Sequence, residues 1–398
     1  MEKVYVIDTV RTAVGKYGGA LRNMRPDDLL AVAIKGLLDR NPTIDVAAIE
    51  DVIAGAANQS GEDNRNVARM AALLAGLPAS VPGNTVNRLC ASGLQAIMDS
   101  ARQIASGDAE LMIACGVESM TRAPFVMGKS DAAFGRTAEV YDTTIGWRFT
   151  NKKLSEKYFP YSMGETAENV ARQWNVSRTE QDEFAFNSQK KYDDAHKAKR
   201  FAEEIIPIQI KGSEEIFSFE KDEHPRFSTL EKLGQLKPAF MKDGTVTAGS
   251  SSGINDGAAA MLLASESAVK KYDLKPIAIV KSMAVAGVDP SVMGIGPVPA
   301  SNKALQRAGI NVDELDLIEL NEAFAAQAVA CLRELNLDPE KVNVNGGSIA
   351  IGHPLGASGV RIATTLLHEM KKRKSKYGLA TMCVGVGQGA AVVFEGIN

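Results

Sequence analysis

The sequence contains little cysteine and little histidine, with four residues of each in a chain of 398. The cysteines are Cys90, Cys115, Cys331 and Cys383. They are too few and too scattered for a disulfide framework or a four-cysteine zinc site. We therefore expect neither structural disulfides nor a bound metal.

A charge excess and a long apolar run are also missing. The chain has 45 basic and 48 acidic residues and a net charge of −3, so no overall field favours nucleic acid or an anionic membrane. No apolar stretch approaches the length of a membrane span. The first residues, MEKVYVIDTVRTAVGK, lack the apolar segment and cleavage site of a signal peptide. We expect a cytoplasmic protein without nucleic-acid or membrane partners.

Strand-like and helical patterns alternate in the first and last thirds of the chain. Short apolar runs at 4–10, 51–57 and 111–117 predict buried strands, and the one-sided apolar pattern of 92–105 predicts a helix. The last third has a similar plan, with a strand-like run in 316–325 and another in 379–387. This alternation predicts an α/β fold in which helices cover sheet faces.

The two thirds resemble each other closely enough to predict two similarly wound halves. In each half a glycine-rich loop leads into a helix, and these loops contain Cys90 and His353. A pseudo-twofold axis would bring the two loops together. The sequence between the two halves is more polar and less periodic, as expected of an insertion that carries binding specificity. The predicted domains are an N-terminal half, 1–121, completed by 248–273; a loop domain, 122–247; and a C-terminal half, 274–398.

Three reactive side chains are each presented by glycine-rich or small-residue backbone. His353 lies in NGGSIAIGHPLGASG (345–359), Cys90 in VNRLCASGLQAI, and Cys383 in CVGVGQG. Glycine allows tight turns and close approach to a ligand. Two thiols and an imidazole in such settings indicate acyl transfer through a thioester.

Cys90 directly precedes a predicted helix, where backbone N–H groups and the helix dipole are expected to lower the pKa of a thiol. The alternative is a small apolar residue that only fills space. His353 is the candidate general base, and its alternative is a hydrogen-bonded structural histidine. The other histidines are less suitable, because His196 and His368 lie in charged helical segments and His224 is expected to be solvated.

Cys383 ends a predicted strand, and its thiol is a candidate second acid/base. The CVGVGQG run is not a dinucleotide fingerprint, because no βαβ unit or acidic partner follows it. Asn321 and Glu322 follow the strand-like DLIEL. The side chain of Asn321 is suited to hold a water or donate to an oxyanion, or alternatively to cap the next helix.

In this order, VNRLCASGLQA, NEAFA, NGGSIAIGHPLGASG and CVGVGQGAA resemble the motifs of the thiolases, the acyl-CoA C-acyltransferases. The resemblance covers essentially the whole chain, including VRTAVGKYGGAL near the start and TAGSSSGINDGAAA at 247–260. It implies the thiolase fold, with two α/β halves stacked as five layers, α-β-α-β-α, and a loop domain over the coenzyme A site. It also implies a homodimer or homotetramer.

The resemblance further implies a ping-pong reaction that uses acyl-CoA and CoA as substrates and needs no cofactor. Cys90 matches the acylated nucleophile, His353 its base, and Cys383 the acid/base for the α-proton of acetyl-CoA. Asn321 matches the residue that holds a catalytic water, and Gly385 the donor of a backbone N–H near Cys90.

The coenzyme contacts are implied in the same way. Ser252 and Ala248 match pantetheine contacts, Arg226 matches the position at the nucleotide end, and Met163 and Phe324 match residues that line the pocket.

One departure from the family pattern concerns the acyl chain. Short-chain acetoacetyl-CoA thiolases typically have histidine before the Met-Gly pair, where this chain has Ser162. The segment 123–149 instead resembles the 3-oxoadipyl-CoA thiolases. An acetoacetyl-CoA or general 3-ketoacyl-CoA thiolase is the alternative. Four basic residues are candidates to meet the terminal carboxylate of 3-oxoadipyl-CoA: Arg122, Lys129, Arg136 and Arg148.

Two other classes of protein are alternatives to this interpretation. A decarboxylating ketoacyl synthase pairs its cysteine with two histidines, whereas Asn321 and Cys383 take those places here. A non-catalytic lipid carrier would not be expected to retain the full reactive set. Release of CO₂ would indicate the synthase, and turnover of a 3-oxoacyl-CoA would exclude the carrier.

Overall fold

The computed structural model describes residues 2–130, 132–211 and 215–397. The first part of the chain alternates strands and helices as its apolar pattern predicts. Its elements are β1 (Tyr5–Thr12), β2 (Gly15–Lys16), α1 (Pro26–Asp39), β3 (Asp51–Gly55), α2 (Val67–Leu74), β4 (Gly83–Val86), α3 (Ser92–Ser106) and β5 (Leu111–Ser119).

The middle of the chain forms shorter strands and mostly polar helices. Its elements are β6 (Phe125–Met127), β7 (Val140–Asp142), α4 (Lys152–Lys157), α5 (Met163–Gln173), α6 (Arg178–Lys197), β8 (Ile205–Ile206), β9 (Ile208–Lys211), β10 (Ile216–Phe219) and α7 (Leu230–Gly234). The two longest helices of this middle part each begin with a capping box. Ser162 pairs with Glu165 at the start of α5, and Ser177 pairs with Glu180 at the start of α6.

The remaining residues return to the alternating plan. Their elements are β11 (Asn255–Ala264), α8 (Glu266–Lys271), β12 (Ala278–Gly287), α9 (Pro297–Ala308), β13 (Leu317–Leu320), α10 (Ala325–Glu334), α11 (Ser348–Ile351), α12 (Leu355–Arg373), β14 (Tyr377–Val384) and β15 (Gln388–Gly396).

The strand order confirms the predicted repeat. In the N-terminal half the order is β4-β3-β5-β11-β1, and in the C-terminal half it is β13-β14-β15-β12. An isolated bridge between Ile318 and Val342 occupies the place of β4 in the second half. The sequence predicts two separate sheets, but hydrogen bonding continues between them where Tyr5 and Val6 of β1 pair with β12. The halves join there because β1 and β12, the first strands of each half, lie side by side at one end.

Three apolar clusters define the layers. Helices α1 and α2 cover the outer face of the N-terminal sheet, and α9 and α10 cover that of the C-terminal sheet. Helices α3 and α12 lie between the two sheets. Helix α3 buries Leu94, Ile97, Ala101 and Ile104 there, and each large aliphatic side chain contributes roughly 1.5–3 kcal/mol on burial. The five-layer α/β fold predicted from the sequence is confirmed.

A buried ion pair network fastens the middle segment to the core. Arg11 of β1 is fully buried, and its guanidinium donates to Glu204 at 2.6 Å and to Asp222 at 2.7 Å. Removing one partner of such a network typically lowers the free energy of unfolding by about 3–5 kcal/mol. Asp222 is therefore held firmly, four residues before Arg226. The predicted domain boundaries themselves remain predictions.

None of the described helices combines the length and apolar character that a transmembrane helix requires.

Candidate active site

Cys90 lies on a tight turn directly before α3. Leu89 has a φ of +46°, a left-handed conformation that is uncommon for a branched residue and is maintained by its surroundings. Cys90 is partly exposed, whereas the other three cysteines are buried. The backbone N–H of Gly385 donates a hydrogen bond to the Cys90 sulfur. The structure thus brings the predicted pair of Cys90 and Gly385 together.

The expectation of a lowered Cys90 pKa is wrong. Burial of the thiol raises its pKa to about 11, and the hydrogen bond from Gly385 only partly offsets this effect. Loss of hydration disfavours the thiolate more than the start of one helix favours it. At neutral pH and without substrate, Cys90 is therefore a thiol.

His353 is held by its backbone and its ring. The preceding residue, Gly352, has a φ of +110° and lies directly against Asn255. A Cβ at position 352 would be 2.6 Å from the amide carbon of Asn255. The His353 N–H donates to Asn255 Oδ1 at 3.0 Å. The ring Nδ1 lies 2.6 Å from Ser358 Oγ, and the Ser358 hydroxyl itself donates to Pro354 O at 2.8 Å. Because the single hydrogen of the Ser358 hydroxyl points to Pro354 O, the Ser358 oxygen must accept the hydrogen bond from His353. The imidazole hydrogen is therefore on Nδ1.

This tautomer leaves the Nε2 lone pair of His353 available. Burial, reinforced by the charge of Arg361, lowers the pKa of His353 to about 3. The imidazole is therefore neutral near pH 7 and able to accept a proton.

The remaining histidines differ partly from expectation. His224 is buried rather than solvated, and burial lowers its pKa to about 4. It packs against the backbone at Gly253. His368 is also buried, with Nε2 at 2.9 Å from Thr9 O.

Asn321 is fully buried and does not cap α10, whose N-cap residue is Phe324. Its Oδ1 accepts a hydrogen bond from the Ser348 hydroxyl at 2.6 Å. Its Nδ2 lies 3.5 Å from His353 Nε2. Of the two roles that the sequence left open, the geometry favours the one at the reactive site.

The helices that follow Cys90 and His353 cross at their first turns, which brings together the two loops that the repeat predicts to meet. A Cβ at Gly93 would lie 2.8 Å from Val360 N, so only glycine permits this approach. Beneath the crossing, the buried carboxylate of Glu118 accepts backbone N–H bonds from Ala57 at 3.0 Å and Gly356 at 2.8 Å. Burial raises the Glu118 pKa to about 7.

Cys383 lies near the end of β14 and is buried in an apolar cluster with Phe324, against which Met163 packs. Burial raises its pKa well above the ordinary value, and the proximity of Cys90 adds to the shift. Met163 also reaches Gly385, where a Cβ would lie 3.7 Å from the methionine sulfur. The two predicted pocket residues therefore pack in the same cluster as Cys383.

Two of the predicted coenzyme contacts are bonded to each other, and the third lies beside a predicted pocket residue. The Ser252 N–H donates to Ala323 O at 3.0 Å, beside Phe324. Ala248 is exposed, and its carbonyl accepts from Arg226 Nη2 at 3.3 Å. The structure thus joins Arg226 to Ala248 and places Ser252, four residues further along the chain, against Ala323.

The four candidate basic residues have different surroundings. Arg122 is paired with Glu62, with Nη2 at 2.6 Å from Oε1. Lys129 and Arg136 are exposed. Arg148 is half-buried and has no ion-pair partner among the described residues.

Sequence reasoning missed Ser348, Ser358 and Glu118 as parts of this site. Both serines lie inside the glycine-rich run that drew attention to His353. Glu118 had a visible signal, because a carboxylate interrupts the end of the otherwise apolar LMIACGVES. A buried charge of this kind must be hydrogen-bonded.

Two family models cover nearly all of the chain. The model of the thiolase N-terminal domain matches residues 4–267, and that of the thiolase C-terminal domain matches residues 274–396. The chain belongs to the thiolase family. As a thiolase it is an acyltransferase whose substrates are acyl-CoA and CoA.

Individual proteins support the same assignment. The thiolase is 57% identical to the beta-ketoadipyl-CoA thiolase of Pseudomonas aeruginosa, over 99% of both chains. It is 53% identical to the 3-oxoadipyl-CoA/3-oxo-5,6-dehydrosuberyl-CoA thiolase of Escherichia coli, over 99% of this chain and 100% of the relative. The crystal structure of the Bacillus anthracis acetyl-CoA acetyltransferase matches with a TM-score of 0.94 and 42% identity, over 100% of this chain and 99% of that one.

Proposed function

We propose that this thiolase uses CoA to cleave 3-oxoadipyl-CoA into acetyl-CoA and succinyl-CoA, in two steps through an acyl-Cys90 thioester. The observation that carries the proposal is that Cys90, whose sulfur accepts the Gly385 N–H, lies near the Cys383 thiol, while the crossing of α3 and α12 brings the loop of His353, with its Nε2 unprotonated, toward the loop of Cys90. The choice of acyl chain is supported by higher identity to relatives named for 3-oxoadipyl-CoA than to the acetyl-CoA acetyltransferase structure.

In the first step His353 Nε2 takes the proton of Cys90 as the sulfur attacks C3 of the substrate. Because Cys90 is a thiol before substrate binds, this transfer accompanies the attack instead of preceding it. The C3 oxygen becomes an oxyanion, and the Gly385 N–H near Cys90 is suited to stabilise it.

Breaking the bond between C2 and C3 leaves succinyl on Cys90 and the electron pair on C2. The Cys383 thiol donates its proton to C2 and releases acetyl-CoA. Its raised pKa keeps that proton in place until the carbanion forms. In the second step the Cys383 thiolate takes the proton of the CoA thiol and the CoA sulfur attacks the thioester, while the amide of Asn321 supports the second oxyanion. As the bond between the acyl group and Cys90 breaks, protonated His353 returns its proton to the Cys90 sulfur, so both thiols and the imidazole regain their starting forms.

The substrate carries a second negative charge at its far end. Three carbon–carbon bonds, about 4 Å, separate C3 from the terminal carboxylate carbon, so the charge enters the pocket and needs a partner there. Arg148 is the best placed of the four candidates. Its neighbour Trp147 donates from the indole to Tyr161 O at 2.9 Å. Tyr161 lies two residues before the pocket residue Met163 in the chain.

Steady-state thiolysis of 3-oxoadipyl-CoA and acetoacetyl-CoA tests the proposal. We expect the higher kcat/KM for 3-oxoadipyl-CoA, with one acetyl-CoA and one succinyl-CoA formed per CoA consumed. A higher value for acetoacetyl-CoA would favour an acetyl-CoA acetyltransferase with the same reactive residues. The homo-oligomer implied by the family and the cytoplasmic location expected from the sequence remain predictions.

A further inference from the structure

A chain of buried hydrogen bonds extends behind Asn321, on the side away from the reactive thiols. Arg361 of α12 donates from Nη2 to Ser348 Oγ at 2.7 Å. The Ser348 hydroxyl donates in turn to Asn321 Oδ1 at 2.6 Å. Arg361, Ser348 and Asn321 are each almost wholly shielded from solvent, so water does not replace these bonds.

The direction of this chain follows from the chemistry of arginine. A guanidinium only donates, so Ser348 accepts from Arg361 and has its single hydrogen left for Asn321. That hydrogen requires an acceptor, which is the carbonyl oxygen of the Asn321 amide. The amide therefore turns its Nδ2 hydrogens toward His353, where Nδ2 lies 3.5 Å from the bare Nε2.

We infer that Ser348 and Arg361 are positioning residues that lock the Asn321 amide with its N–H donors facing the reaction. The inference rests on the proposed function, in which Asn321 stabilises an oxyanion. Without the lock the amide is free to rotate by half a turn and present Oδ1 to His353. It then accepts a hydrogen bond from protonated imidazole, which stabilises the form of His353 that cannot act as a base.

Arg361 also acts on His353 through its charge. Its field helps to keep the imidazole neutral, and Glu319, 3.6 Å from Arg361 Nη1, partly balances it. Burial raises the Glu319 pKa to about 8, so this balance is weak near neutral pH. Loss of the lock and loss of the charge both move the His353 pKa upward.

The test compares Ser348→Ala with Ser282→Ala. Ser282 is a matched control, because its buried hydroxyl donates to Ala304 O at 2.6 Å on the opposite face of the C-terminal sheet. We expect Ser348→Ala to lower kcat at least about tenfold, with KM for CoA unchanged within twofold. The acid limb of the pH profile should rise by about one unit. Ser282→Ala should leave kcat and the acid limb unchanged.

A double-mutant cycle separates positioning from general stability. In an Asn321→Ala background, Ser348→Ala should have no further effect on kcat, because its effect acts through the missing amide. Arg361→Met combined with Glu319→Gln provides a second route and should raise the acid limb in the same way. Equal losses of kcat in both backgrounds, or a Ser348→Ala enzyme within twofold of wild type, would overturn the inference. Wild-type enzyme that does not thiolyse any 3-oxoacyl-CoA would instead overturn the proposed function.

Discussion

The surroundings of His353 and the proposed coenzyme end of the site, around Arg226, are built from the same chain in opposite ways. Around His353 the polar groups are buried and hydrogen-bonded: Ser358 contacts the His353 ring, and Ser348 donates to Asn321. At the far end Arg226 and Ala248 are exposed and share a single hydrogen bond of 3.3 Å. The groups around His353 are shielded from water, whereas Arg226 and Ala248 are exposed to it.

This difference indicates where the binding energy and the catalytic power come from. Buried polar groups interact strongly because little water competes, and removing one leaves its partner unsatisfied. Exposed contacts are screened and individually weak. Substitutions in the centre should therefore reduce kcat strongly, and those at the coenzyme end should change KM modestly.

The largest effect is expected for His353→Ala. Both half-reactions should slow by about 10³-fold, within the usual range for loss of a general base, because Cys90 needs the base in each. Cys383→Ser should differ, since acetyl transfer from acetyl-CoA to Cys90 requires no proton at the α-carbon. Mass spectrometry should still detect acetyl-Cys90 in that variant, while condensation is abolished. Equal residual rates in both half-reactions of Cys383→Ser would contradict separate roles.

The second expectation concerns the protonation of Cys90 in the buried centre. With a pKa of about 11, the thiolate fraction rises tenfold per pH unit below that value. Alkylation by iodoacetamide should therefore accelerate by roughly 10³-fold between pH 7 and pH 10. Peptide mapping should find Cys90 labelled before the three buried cysteines, and prior acylation should protect it. A rate that is already constant from pH 7 upward would mean that the helix start does lower the pKa.

The third expectation lies between the two regions, in the acyl pocket. Arg148→Met should reduce the preference for 3-oxoadipyl-CoA over acetoacetyl-CoA by about tenfold, the effect of losing one charge-assisted hydrogen bond. The exposed Lys129 provides the control, and Lys129→Met should leave the ratio of kcat/KM values unchanged. Equal changes in both variants would point to a general electrostatic effect instead.

The smallest effect is expected at the coenzyme end. Arg226→Met should raise KM for CoA about three- to tenfold, as expected of a partly screened contact with phosphate. The value of kcat should not change, and the effect should weaken as salt is added. A large loss of kcat would show that the two regions are coupled, contrary to the comparison drawn above.

Much of the fold could be predicted from local pattern. The strands at 51–57 and 111–117 and the helix at 92–105 appear as β3, β5 and α3 with small shifts in their ends, because short apolar runs and one-sided periodicity reflect burial directly. The repeat also predicted that the loops of Cys90 and His353 meet, and the helices that follow these loops do cross. Protonation states were less accessible, and the pKa of Cys90 was predicted in the wrong direction.

His224 illustrates the same limit. Charged neighbours in DEHPR suggested a solvated ring, yet the attachment of Asp222 to Arg11 draws this segment onto the core and buries it. Sequence spacing cannot report such an attachment, since Arg11 lies 211 residues before Asp222 along the chain.

The sequence by itself determined which side chains are reactive, that two α/β halves repeat, and that the family is that of the thiolases, because motifs and periodicity are local properties. Only the tertiary structure decided how those side chains are protonated and oriented. The tautomer of His353 depends on Ser358, and the amide orientation of Asn321 depends on Arg361 through Ser348. Burial and hydrogen-bond direction arise from groups that meet only after folding, so no spacing along the chain encodes them visibly.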